Sequence, residues 1–276
     1  MSKARGQVFY KMTGSGNDFV MFDGRLTTPG DWPAERMARI CDRQMGVGAD
    51  GIVFLTPDGQ GGVRMDYFNA DGSPAAMCGN AALCSARLAA HLELAPPEGM
   101  TLLTPAGLMR TRCAGGPDLA ELQMPAFQVP QPLTMEPQPG ETGFFLGTVG
   151  VPHLIVLAED AAVIDVARRG RELRFHPAVG PEGANVNFVS APARVGQEPW
   201  LIRTYERGVE GETLACGTGT LAAAFALAAA SRRALPSGWC TTRGIRLTVS
   251  GSLANGMASE NWLCGEGRLV YMGVLR

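Results

Sequence analysis

A chain of 276 residues, 46% hydrophobic and 18% charged, is long enough for two ordinary domains with their own cores, so folding needs neither a disulfide nor a metal staple. Its formal net charge of −2, with no run rich in lysine or arginine, excludes an extended nucleic-acid or anionic-membrane surface. The expected partner is a small molecule or another copy of the chain.

The opening stretch, MSKARGQVFYKMTGSGNDF, has no apolar run of the kind a secretory leader carries. A cytoplasmic location is therefore expected, with the seven cysteines mostly free thiols. QVFYKMT (residues 7–13) reads as a strand, Glu35 to Asp42 as a helix, and GIVFLT (51–56) and VRMDYF (63–68) as two more strands. An Ala-rich helix follows in MCGNAALCSARLAAHL, opened by Cys78. FQVPQPLTMEPQPGET, Phe127 to Thr142, reads as a linker, because its prolines fix φ and remove hydrogen-bond donors. This divides the chain into lobes of residues 1–127 and 143–265, with a last strand over about 266–276 packing back on the first lobe.

The second lobe carries strands in NVNFVS (185–190), WLIRTY (200–205) and IRLTVS (245–250). Between them lies LACGTGTLAAAFALAAA, Leu214 to Ala230, which has no charge and is nearly as long as a membrane span. Alanine dominates it, Gly217 and Gly219 open it, and Arg232 and Arg233 close it. It is read as the buried axis of a soluble domain rather than a span.

The two lobes repeat one another. Residues 65–90 fall on 203–228 without a gap: Tyr67 meets Tyr205, Cys78 meets Cys216, Gly79 meets Gly217 and Leu83 meets Leu221. With a small offset, GNDFVMF (Gly16 to Phe22) also falls on GVPHLIV (Gly150 to Val156). The class is α+β: two pseudo-symmetric lobes, each a mainly antiparallel sheet or barrel around a central helix. Duplicated lobes usually pack about a pseudo-twofold axis, which is expected to bring Cys78 and Cys216 to one cleft.

Two thiols on opposite faces of a small molecule suit inversion at a carbon bearing hydrogen, where one group removes a proton and the other supplies one. A helix N-terminus is expected to lower a thiol pKa from its usual value near 8.5. The N–H groups of Gly79, Asn80, Gly217, Thr218 and Gly219 are free donors for a carboxylate, and glycine permits close approach. Such a carboxylate can take up charge as its α-proton leaves. Pyridoxal phosphate would need a lysine, and Lys3 and Lys11 are the two present, neither near a phosphate-cradling loop. No cofactor and no metal are expected.

GSGNDFV, GVGADGIV, FNADGSPAAMCGN, NVNF and ERGVEGETLACGTGT together closely resemble the diaminopimelate epimerase family, nearly end to end. The resemblance implies two lobes each wrapped round a central helix, a cleft between them, and cofactor-independent two-base epimerisation of LL- to meso-diaminopimelate, a lysine and peptidoglycan precursor. It also implies a homodimer. It assigns Cys78 and Cys216 as the catalytic thiols, and Gly79, Asn80, Gly217 and Thr218 to the reacting carboxylate. Asn17, Asn69, Asn185, Glu206 and Arg207 match substrate-holding positions, and His153 a histidine beside the site. A guanidinium such as Arg207 meets a carboxylate through two parallel hydrogen bonds.

The chain departs from the family at four places. Val151 replaces an asparagine that touches the distal part of the substrate, Ala81 and Leu83 replace glycine and arginine, and Pro74 stands where an acidic residue is common. These keep open a racemase of another amino acid, such as a histidine racemase of a metallophore pathway. A lyase of the proline-racemase kind fits less well, since those enzymes often lack one thiol. From another class, a thiol redox sensor or binding protein would use the same cysteines as a reversible disulfide. Cys41, Cys84, Cys113, Cys240 and Cys264 read as packing residues, His91 and His176 as surface ones, and Asn17 and Asn69 also suit turns.

Overall fold

The computed structural model describes residues 6–192 and 198–276; Lys3 lies outside them. The chain divides into two compact units, Met1–Gln123 with Cys264–Arg276, and Met124–Leu263.

The first unit holds β1 (Gln7–Gly14), β2 (Asn17–Asp23), α1 (Ala34–Cys41), β3 (Gly51–Pro57), β4 (Val63–Asn69), β5 (Pro74–Ala75), α2 (Gly79–His91), β6 (Met100–Thr104), β7 (Gly107–Cys113) and β8 (Leu119–Met124). The second holds β9 (Phe127–Gln128), β10 (Gln131–Pro132), β11 (Glu141–Val149), β12 (Val151–Ala158), α3 (Val166–Arg174), β13 (Asn185–Ser190), β14 (Trp200–Glu206), β15 (Gly211–Thr213), α4 (Gly217–Ala229), β16 (Ser237–Cys240) and β17 (Arg246–Ala254). The chain returns to the first unit within β18 (Met257–Glu266) and ends in β19 (Arg268–Leu275).

In the first unit β1 pairs antiparallel with β19 and β2, β2 runs parallel to β3, β3 is antiparallel to β4, and β4 is parallel to β6. In the second, β11 pairs antiparallel with β10 and β12, β12 runs parallel to β13, β13 is antiparallel to β14, and β14 is parallel to β16. The two pairing schemes are the same, with a one-residue difference in register: Tyr205 sits opposite Val186 where the first unit has Phe68 opposite Ile52. The repeat read from the sequence is therefore a repeat of topology. The fold is α+β, two similar lobes of mainly antiparallel sheet, each about one helix.

That helix is alanine-rich for a reason of space. α2 packs against β1, β2, β3, β4, β6, β7 and β19, and α4 against β11, β12, β13 and β17. Small side chains let a sheet wrap closely on every side while keeping the best intrinsic helix propensity. In α4 the nine residues Gly219–Leu227 are all buried. Among the described residues no helix is long and apolar enough to cross a membrane.

Each unit carries a second helix on the other face of its sheet. α1 packs Met37, Ile40 and Cys41 against Phe22, Trp32 and Phe54. α3 is not legible in VARRGRELR, which is charged and has a glycine at its middle. Gly170 is there because a Cβ would lie 2.5 Å from Cβ of Tyr205, so the helix trades propensity for close approach. A buried forked ion pair ties it to β11: Arg169 Nε and Nη2 reach the Glu141 carboxylate at 2.7 and 2.8 Å.

The segment read as a linker is part of the second unit instead. Its prolines leave room for two short strands, and Phe127 and Val129 are buried beside Phe225 and its neighbours.

Candidate active site

Cys216 is the N-cap of α4, and Cys78 the N-cap of α2; both have extended backbones and both are half-buried. In each case a strand hairpin delivers the chain to the helix: β14 and β15 before Cys216, β4 and β5 before Cys78.

Around Cys216 the second unit gathers most of its expected residues. The Sγ lies 3.6 Å from Thr218 Oγ1 and receives the backbone N–H groups of Gly219 and Thr218. Those donors do not produce the low pKa expected of a helix start. Burial pushes the thiol up to about 11, the Glu206 carboxylate adds to the rise, and the three hydrogen bonds only partly oppose it. The resting group is a thiol, a proton donor until a ligand changes its surroundings.

Asn185 is buried at the head of β13, and its Oδ1 accepts the Arg207 backbone N–H at 2.7 Å. This fixes the turn after β14, where Glu206 and Arg207 stand. The Arg207 side chain makes an open contact of 3.3 Å to the exposed Glu182, a pair of the kind that contributes about 0–1 kcal/mol and is readily exchanged for another carboxylate. His153 pairs with Asn185 across β12 and β13 and is fully buried. Burial holds its pKa down at about 4; the Val149 backbone, the next largest influence, pulls it up, and the Arg207 charge adds a smaller push down. It is neutral at physiological pH.

In the first unit, Ser15 and Gly16 both have positive φ, 44° and 106°. They form the two-residue turn from β1 to β2, which accounts for the GSGN sequence. The turn presents Asn17, whose Oδ1 accepts from Asn80 Nδ2 at 2.7 Å and whose Nδ2 donates to Asp50 at 2.8 Å. Asp50 is held by Arg43, which also reaches Asp18, and Asp18 binds Lys11. Lys11 is buried and also donates to the Gly48 carbonyl. A chain of ion pairs and hydrogen bonds thus runs from the sheet to Asn80 in the first turn of α2. Asn69 is exposed and spends its amide on Ser73 within its own turn, at 3.1 Å.

Three further groups were not singled out in the sequence. Tyr67 is buried against Phe19, and burial first, then the charge Cys78 carries when ionised, raise its pKa. Asp50 lies inside GVGADGIV and Asn187 inside NVNF, so both motifs held them in view without a reason to choose them. Ala81 and Leu83 are fully buried in α2. Both side chains pack into the core, while Val151 is half-buried at the start of β12.

The diaminopimelate epimerase family profile matches residues 9–117 and 145–238. A diaminopimelate epimerase of Gemmatimonas aurantiaca is 44% identical over 278 aligned positions, covering 96% of this chain and 98% of that protein. The chain belongs to the diaminopimelate epimerase family. Another member, from Archaeoglobus fulgidus, is 35% identical over 97% of this chain and 96% of its own. More distant solved structures share the fold. A hydroxyproline epimerase of Agrobacterium vitis superposes with TM-score 0.63 at 19% identity, over all of this chain and 94% of its own. A PhzF-family phenazine biosynthesis protein of Bacillus anthracis gives TM-score 0.71 at 13% identity, over 99% of both chains. The chain is an isomerase of the diaminopimelate epimerase family.

Proposed function

We propose that this protein interconverts LL- and meso-diaminopimelate by a two-base mechanism, with Cys78 and Cys216 as the catalytic thiols and no cofactor. The observation that carries the reading is that each cysteine caps a buried helix at the same topological point of a repeated unit, in a chain 44% identical to a diaminopimelate epimerase.

One cysteine, as thiolate, takes the α-hydrogen as a proton, leaving the electron pair on carbon. The other, as thiol, delivers its proton to the opposite face. The configuration inverts, and the two sulfurs end with their protonation states exchanged, ready for the reverse reaction. The raised pKa of Cys216 suits the proton-donor half of this cycle. The substrate α-carboxylate lies on the N–H groups of Gly79, Asn80, Gly217 and Thr218, which stabilise it as charge develops. Asn17, Asn69, Asn185, Glu206 and Arg207 hold the substrate, with Arg207 releasing Glu182 to take the distal carboxylate. His153 supports the site. The enzyme is cytoplasmic and works as a homodimer.

The racemase alternative now rests on Val151, since Ala81 and Leu83 are core residues. Exchange of α-hydrogen with D2O, followed by NMR with reductant present and no added cofactor, separates the readings. The panel is LL- and meso-diaminopimelate, lysine, histidine and glutamate. Exchange confined to diaminopimelate is expected. Exchange of histidine instead would move the substrate, and no exchange of any member would contradict the assignment.

A further inference from the structure

Asn187 is fully buried in β13, in the same unit as Cys216, and every polar atom of its side chain is engaged. Its Nδ2 donates to the Leu154 carbonyl at 3.2 Å, and its Oδ1 accepts from Thr204 Oγ1 at 2.9 Å. A carbonyl can only accept, so these partners fix which end of the amide is nitrogen. The second hydrogen on Nδ2 then points to His153 Nδ1, 3.2 Å away. A ring nitrogen that accepts from an N–H carries no proton, so the proton of the neutral imidazole is on Nε2. That Nε2 is buried and has no partner at hydrogen-bond distance among the described residues, while the Val149 backbone acts on the ring as an acceptor for its proton.

The same amide bears on the thiol. A Cβ built on Gly219 would stand 2.1 Å from Asn187 Oδ1 and 3.2 Å from Cys216 Sγ. Asn187 is thus packed against the helix turn whose N–H groups reach the sulfur. Tied at three points, it is a rigid wall for that turn.

We propose that Asn187 is a positioning residue that locks His153 as the Nε2–H tautomer and buttresses the turn carrying Cys216. The imidazole then offers one hydrogen-bond donor and has no free lone pair with which to compete for a proton. Proton transfer is left to the thiol, and a third base that would scramble the stereochemistry is kept out. The inference is read from the free protein and stands whatever the side chain of the substrate.

Nitrogen NMR of protein labelled in its histidines tests this directly, because there are three, His91, His153 and His176. Loss of one signal set in His153→Gln assigns the resonances. The wild type is expected to show a protonated Nε2 and an unprotonated Nδ1 for His153 from pH 5 to 8. Asn187→Asp replaces the Nδ2 donor with an acceptor, so the two signals are expected to exchange positions. The kcat–pH profile of that variant should then gain a histidine ionisation that the wild type lacks in this range, because a carboxylate beside the ring raises its pKa. A wild-type His153 protonated on Nδ1, or averaging between tautomers, would overturn the proposal even where the variant does not fold. A folded Asn187→Asp variant that keeps the wild-type tautomer would do the same.

Discussion

Replacing Gly79 with alanine separates a ligand-contact role from a structural one. A Cβ at this position would meet only Leu122 Cδ2, at 4.0 Å, which is ordinary contact distance. The backbone of Gly79 begins α2, where alanine costs less conformational entropy than glycine, so stability should be unchanged or rise by up to about 1 kcal/mol. The site should respond differently. The added methyl stands where a carboxylate must approach the first N–H groups of the helix, and losing one charge-assisted hydrogen bond costs about 1.5–3 kcal/mol. That corresponds to a fall in kcat/KM of about 10- to 160-fold. Thermal unfolding and steady-state epimerisation on one preparation measure both effects. A variant with wild-type Tm and wild-type kcat/KM would show that no carboxylate rests on this turn. A variant that loses activity and stability together would show that the glycine is structural.

Other consequences follow from single contacts. Gly219→Ala should be both inactive and unstable, by about 1–3 kcal/mol from overpacking against the tethered Asn187; a stable, active variant would mean that Asn187 moves freely. Arg169→Ala leaves the Glu141 carboxylate buried without its partner and should cost about 3–5 kcal/mol in urea unfolding with little effect on kcat. Glu206→Gln removes a charge that raises the Cys216 pKa, so the pH at which iodoacetamide alkylates Cys216 half-maximally should fall from about 11; an unchanged profile would contradict the charge assignment. His153 has a folded pKa of about 4 against about 6.5 unfolded. Between these values the unfolded chain holds a proton that the folded chain does not, so stability falls as pH drops from about 6.5 to about 4, by up to about 3 kcal/mol. His153→Gln should flatten that part of the stability–pH curve.

The thiols, the helices they cap and the duplication were legible in the sequence because each depends on short spacings: a cysteine, a glycine, then alanines at helical period. What was not legible depends on burial or on distant partners. The helix start at Cys216 suggested a lowered pKa, yet desolvation and Glu206 reverse the sign, and neither burial nor that neighbour shows in LACGTG. Asn17 could be read as a turn residue or as a ligand contact; the partners that orient it, Asp50 and Asn80, are brought in from 33 and 63 positions away. Asn187 looked like one polar residue of a strand until Leu154, Thr204 and His153 closed around it. α3 was hidden by Gly170, whose purpose is visible only with Tyr205 in place.

The two-base claim is met most directly by starting from LL-diaminopimelate in D2O and stopping the reaction at low conversion. If one thiol removes the proton and the other, already exchanged with solvent, supplies deuterium, the meso product is deuterated at the inverted carbon while the remaining LL substrate keeps its hydrogen. A product that retains the hydrogen of its substrate, or an LL pool that gains deuterium as fast as product forms, would mean that a single group carries the proton across, and the account would be wrong.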